Sequence, residues 1–139
     1  MDIDPNNANN METNRIDMNK SMETILKFFF KHQIELKLYH FQSNSYGGHK
    51  ASDKYLTKFL DKVDTLMEIL QGHVGKINLQ NISINAYQSN DQTINSILEK
   101  YIRDLEVFER SFKKYSDIQN IIQEMKADAS QLIYLLTFK

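Results

Sequence analysis

Cysteine is absent from the 139 residues, proline occurs once and glycine four times. Without thiols there is no disulfide framework, no thiolate metal site and no cysteine nucleophile, which fits a reducing compartment. A surplus of charge is missing too: 17 Lys and Arg stand against 18 Asp and Glu. No global positive field exists to draw in nucleic acid or an anionic membrane, so any DNA contact would have to be local. No apolar run approaches the roughly 20 residues that span a bilayer. The longest, Leu132 to Leu136, reads as a core segment. Residues 1–10 are acidic and Asn-rich, without the basic and apolar regions of a secretory signal. The expectation is a soluble intracellular protein of one domain, with no membrane partner.

Residues 1–19 hold the only proline, Pro5, many Asn and few large apolar groups, and are expected to form a flexible tail. From residue 20 onward the chain is periodic. Ile25, Leu26, Phe29, Leu36 and Phe41 predict a helix from about Ser21 to Ser43. The segment Ser45-Tyr46-Gly47-Gly48 reads as a breaker, after which Leu56, Phe59, Leu60, Val63, Leu66, Met67 and Leu70 mark a second helix from His49, closed by Gly72 and Gly75. Residues 73–91 keep neither period and predict an extended crossover. Asp91 is the expected N-cap of a third helix with the stripe Ile94, Ile97, Leu98, Tyr101, Ile102, Leu105, Phe108 and Phe112. Ser116 starts a fourth, with Ile118, Ile121, Ile122, Met125, Ala129, Leu132, Ile133 and Leu136 facing inward. The expected fold is an all-α four-helix bundle over 20–139, ferritin-like in having one long crossover between helices two and three.

Several chemistries have no support. There is no Gly-x-Ser-x-Gly and no Gly-rich phosphate loop. Nor is there a Glu-x-x-His, which a di-iron site inside the bundle requires. The Phe28-Phe29-Phe30 run reads as packing, with at least one ring expected to face a neighbouring subunit. His32 and His73 read as residues of the helix surface and of a glycine-rich helix end.

What remains is the spacing of His40, His49, Asp53, Asp64 and Glu68. Imidazole and carboxylate together suit iron, with Zn or Mn as substitutes. At ~100° per residue, Asp53, Asp64 and Glu68 lie about 40°, 60° and 100° round the helix from His49, on one face. A rise of ~1.5 Å per residue separates Asp53 from Asp64 by about 16 Å along the axis, against metal-ligand distances near 2 Å. One helix cannot close such a site. A two-fold antiparallel pairing of the helix with its copy brings His49 and Asp53 of one chain beside Asp64 and Glu68 of the other, giving two equivalent sites. His40 then offers a further imidazole. The ordinary alternative is a solvated acidic face paired to Lys50, Lys54, Lys58 and Lys62.

The stretch LYHFQSNSYGGHKASDKYLTKFLDKVDTLME, residues 38–68, resembles the first two helices of the Dps mini-ferritins, with Phe41 where the family usually has Trp. It is also similar to small ferritin-like proteins of large DNA viruses and phages. The resemblance implies a ferroxidase centre across a two-fold interface, with His40, His49 and Asp53 from one subunit and Asp64 and Glu68 from its mate. It implies Fe(II) oxidation and sequestration that protects against oxidative damage, in at least a dimer and, for the whole family assembly, a dodecameric shell. The location implied is the cytoplasm, or the virion for a viral protein. The N-terminal stretch lacks the lysine clustering that some members use to hold DNA, so DNA as a partner has little support. The competing class is a non-enzymatic helical structural or DNA- or virion-associated binding protein that kept the bundle.

Overall fold

The four periodic stretches are helices in the computed structural model, which describes the backbone of residues 5–138 and the side chains of residues 20–138. They are α1 Pro5–Gln42, α2 Tyr46–Val74, α3 Ile94–Ser111 and α4 Ser116–Leu135, followed by a 3-10 turn Leu136–Phe138. The described residues contain no strand. The tail expected over 1–19 falls on side chains outside the described set, although the first helix starts at Pro5 and not near Ser21.

The buried positions advance in alternating steps of three and four. On α1 the series is Met22, Ile25, Phe29, His32, Leu36 and Tyr39; on α2 it is Ser52, Leu56, Phe59, Val63, Leu66 and Leu70. On α3 it is Ile94, Leu98, Tyr101 and Leu105, and from α4 into the 3-10 turn it is Ile118, Ile122, Met125, Ala129, Leu132 and Leu136. A 3-4 alternation keeps one narrow stripe facing the partners, the spacing of long helices packed side by side. Burying each large side chain of this stripe contributes about 1.5–3 kcal/mol. The rule also explains why the apolar run near the C-terminus is only partly core: Leu132 and Leu136 are buried, whereas Tyr134 and Leu135 point outward. Leu60, expected on the inner face of α2, is likewise exposed.

His32 is the main departure from the expected surface. It is 3% exposed, stacked on Tyr101 with centroids 3.5 Å apart, and its Nε2 lies 2.7 Å from the Tyr55 hydroxyl. Burial pushes its pKa down to about 3, so the ring is neutral. Burial also raises the Tyr55 and Tyr101 phenols well above their ordinary range. Of the aromatic run, Phe29 enters the core and Phe28 packs at its edge, stacked on Tyr101.

Packing pairs α1 with α2, α2 with α4, α3 with α4 and α1 with α3. The link between α2 and α3 begins at Gly75, whose φ of 102° only glycine adopts without strain and whose N–H donates to the Gln71 carbonyl. At that end His73 of α2 bonds Asp117 of α4 at 3.0 Å, which holds the Asp117 carboxyl below its ordinary range. Further along the link the Tyr87 N–H donates to buried Glu35 of α1, and Lys31 lies over the Tyr87 ring. The link finishes at the α1–α2 turn, where Asp91 accepts from Ser43 Oγ and Asn44 N–H, both at 2.9 Å. Asp91 is therefore a tie across the bundle end and not the N-cap of α3. That helix begins after Thr93, and Asn90 closes the preceding turn by accepting from Gln92 and Thr93 N–H.

Candidate metal centre

The α1–α2 turn is three residues long, because α2 starts at Tyr46 and the two glycines expected to break the helix lie in its first turn. Ser45 is the N-cap, its side chain accepting from Gly48 N–H at 3.1 Å. Gly48 is required by close approach: a Cβ there would fall on the Tyr39 hydroxyl and lie 2.7 Å from Ser43 Oγ. That contact lets the end of α1 and the start of α2 approach closely enough for their histidines to touch.

His40 and His49 stack with centroids 3.9 Å apart and planes 19° from parallel. Each ring bonds the other residue's backbone: His40 Nδ1 lies 2.9 Å from the His49 carbonyl, and His49 Nδ1 lies 2.8 Å from the His40 carbonyl. A carbonyl only accepts, so both Nδ1 atoms carry the proton, and in the neutral form of each ring the lone pair is on Nε2. Neither Nε2 has a hydrogen-bond partner among the described residues. An imidazole whose second nitrogen donates to a carbonyl is oriented as a metal ligand is oriented.

Asp53, Asp64 and Glu68 are exposed on α2, as is His49, whereas His40 is buried. Asp53 follows His49 by one turn, and Asp64 and Glu68 lie about three turns further along, too far to reach the same ion. Accordingly, no three His, Cys, Asp or Glu side chains among the described residues converge as a metal site. The lysines expected to neutralise this face do not. Lys62 bonds Asp128 and Lys58 bonds Gln131, both on α4, while Lys50 lies over the Tyr46 ring. None of the three carboxylates has an ion-pair partner among the described residues. The structure thus brings His40 and His49 together and leaves three unneutralised carboxylates on the outer face of α2.

Residues 40–136 match the model of a family described as one of unknown function, DUF5856. The chain belongs to DUF5856. The DUF5856 match opens at His40 and contains all five candidate ligands. No curated protein and no solved structure matches the chain. For this DUF5856 protein, two neighbours of the histidines matter that sequence spacing did not single out. Gly48 permits the helix approach, and Ser52, wholly buried, places Oγ 3.3 Å from His40 Nδ1. Their signal was available, since a glycine and a serine occupy inward positions of an otherwise apolar helix face.

No described helix is long and apolar enough to cross a membrane.

Proposed function

We propose that the protein is a Dps-like ferroxidase whose site is shared by two copies of the chain across a two-fold axis. The observation that carries this reading is the His40–His49 pair, two imidazoles that direct Nδ1 into backbone carbonyls and whose Nε2 atoms have no partner among the described residues, on a chain whose α2 also carries Asp53, Asp64 and Glu68 without ion-pair partners among the described residues. Fe(II) is the substrate. His40, His49 and Asp53 of one protomer bind it with Asp64 and Glu68 of the other, the carboxylates favouring Fe(III) as an electron passes to peroxide or dioxygen. Zn and Mn are substitutes for the same donor set.

The ferritin-like connectivity is part of the proposal. It is supported by a link that leaves the end of α2 beside α4 and finishes at the α1–α2 turn, and by α2 pairing with α4 and not with α3. Closure of a shell would add storage to oxidation. A cytoplasmic or virion location belongs to the same reading.

A complementation experiment tests the shared site. The H49A/D53A and D64A/E68A proteins are each expected to oxidise Fe(II) at least tenfold more slowly than the parent when oxidant follows anaerobic loading. Co-refolded as mixed dimers, they rebuild one intact site of two and recover about half the parent rate. Two inactive variants that stay inactive in mixed dimers of verified composition would reject the shared site, and parent-like rates in both would reject the ligands.

The non-enzymatic alternative has one observation in its favour, the lack of three converging metal-binding side chains within the described residues of one chain. Metal content of the purified protein separates the two readings.

A further inference from the structure

The link between α2 and α3 leaves the end of α2 at Gly75 and reaches the α1–α2 turn at Asp91. It thus covers the length of α2, whose 29 residues at ~1.5 Å each make ~43 Å, and advances ~2.7 Å per residue. Only largely extended backbone does so, since a 3-10 helix rises ~2.0 Å per residue and a strand ~3.3 Å. From Asn81 to Asn85 exposure repeats every second residue: Ile82 and Ile84 are half-buried, while Asn81, Ser83 and Asn85 are exposed. The segment has the shape of a strand and no strand beside it.

From Asn78 to Ala86 no backbone or side-chain group makes a hydrogen bond among the described residues. The fastenings stand at either end, where Ile77 N–H donates to the Gln71 side chain and Tyr87 N–H to Glu35 of α1, both at 3.1 Å. Folded proteins shield an unpaired row of N–H and C=O groups with charge or proline, because it is a template for another chain. Residues 77–90 contain neither. Strand backbone groups alternate between the two edges, so Asn81, Ser83 and Asn85 present theirs on the side to which Tyr87 N–H points, the side of α1. A hollow of about 230 Å³ opens on that side, lined by Lys31, Asn85, Ala86 and Tyr87. It has room for a side chain of an added strand.

We propose that residues 81–85 are a docking edge to which an extended segment of another protein adds as a β-strand. Main-chain hydrogen bonds hold such a partner, and its alternate side chains select it. Those facing the bundle lie beside Ile82 and Ile84 and are apolar; the others meet Asn81, Ser83 and Asn85 and are uncharged, since residues 77–90 offer no charge to pair with. A second folded copy does not fit through the same segment. Two-fold antiparallel pairing sets both bundles on one side of strands ~4.8 Å apart, where a single helix is already ~10–12 Å wide. The occupant is therefore a tail or linker, not another link. None of these residues is a candidate iron ligand, so the inference is independent of the iron-site reading.

The probe is the acetylated and amidated peptide of residues 77–88, which carries the required alternation without a bundle to collide. Added to the full-length protein at about ten times its Kd, it is expected to slow amide exchange of residues 81–85 about tenfold and to add an antiparallel-strand band to the isotope-edited infrared spectrum. Ser83→Pro removes an N–H from the docking edge, and peptide affinity is expected to fall about tenfold while circular dichroism and the denaturation midpoint stay those of the parent. The peptide N-methylated from Asn81 to Asn85 lacks the donors and is expected not to bind the parent, a control that holds whether or not Ser83→Pro folds. A peptide that fails to bind, binds without protecting residues 81–85, or binds equally well when N-methylated overturns the proposal. So does a metal-free dimer of the parent that the peptide dissociates, which would make a second copy the occupant.

Discussion

His32 and the His40–His49 pair are histidines of one bundle in opposite conditions. The ring of His32 is closed in on both sides: Tyr101 covers one face at 3.5 Å, Tyr55 takes Nε2, and burial keeps it neutral down to about pH 3. The rings of His40 and His49 cover each other, direct Nδ1 into backbone carbonyls and leave Nε2 open. Burial does not separate the two cases, since His32 and His40 are both buried. What separates them is which nitrogen the protein occupies. A histidine whose partners are other core side chains adds to packing and to the uniqueness of the core, whereas one whose partners are carbonyls on a single nitrogen is presented as a ligand.

Truncation breaks this comparison most strongly. His32→Ala removes a core ring and is expected to cost about 3–5 kcal/mol of stability by urea denaturation while leaving Zn(II) affinity of the folded protein unchanged. His49→Ala, at an exposed position, is expected to do the reverse, with little change in the midpoint and at least a tenfold loss of Zn(II) affinity. Equal effects of the two on metal affinity would erase the distinction.

Acid sharpens it next. The folded pKa of His32 is about 3 against 6.5 unfolded, so between those values the unfolded chain binds the extra proton. Stability therefore rises with pH through this window, is fully present above about pH 6.5, and has fallen by about 2 kcal/mol at pH 5 on account of this residue. His32→Phe is expected to flatten the dependence between pH 7 and 5. An unchanged slope in that variant would show that His32 is not the group responsible.

Gly48 tests whether helix approach creates the pair. Gly48→Ala gains about 1 kcal/mol of helix propensity but crowds Tyr39 and Ser43, and overpacking costs about 1–3 kcal/mol. The net expectation is a loss of about 1 kcal/mol together with weakened Zn(II) binding. Stabilisation with unchanged binding would mean that the approach is not needed. The smallest effects on stability belong to Asp53→Asn and Glu68→Gln, both at exposed positions without ion pairs and expected within about 0.5 kcal/mol of the parent. Each is nevertheless expected to slow Fe(II) oxidation in the assembled protein.

Much of the fold could be read from periodicity because packing physics repeats along each helix. The centres of the expected α3 and α4 stripes are buried, while Ile97, Ile102, Phe108, Phe112, Ile121 and Ile133 pack partly buried at the edge of the core, and the aperiodic link is irregular in the structure. Asp91 could not be placed in this way. An acidic residue just before a helix resembles an N-cap, and its actual partners, Ser43 and Asn44, lie nearly fifty positions earlier. His32 was misjudged because the adjacent phenylalanines dominate the hydrophobic pattern. The 3-4 series running from Met22 to Tyr39 puts it inside, since a neutral, stacked imidazole fills a core position as an aromatic ring does.

The five-residue spacing and its incapacity to close on one helix follow from the sequence alone, because the helical rise separates Asp53 from Asp64 by about 16 Å whatever else the chain does. Only the tertiary structure decided that His40 and His49 meet. A three-residue turn, a glycine pressed against Tyr39 and a pair of reciprocal hydrogen bonds set that contact, and each depends on how α1 and α2 pack, which no spacing within either helix encodes.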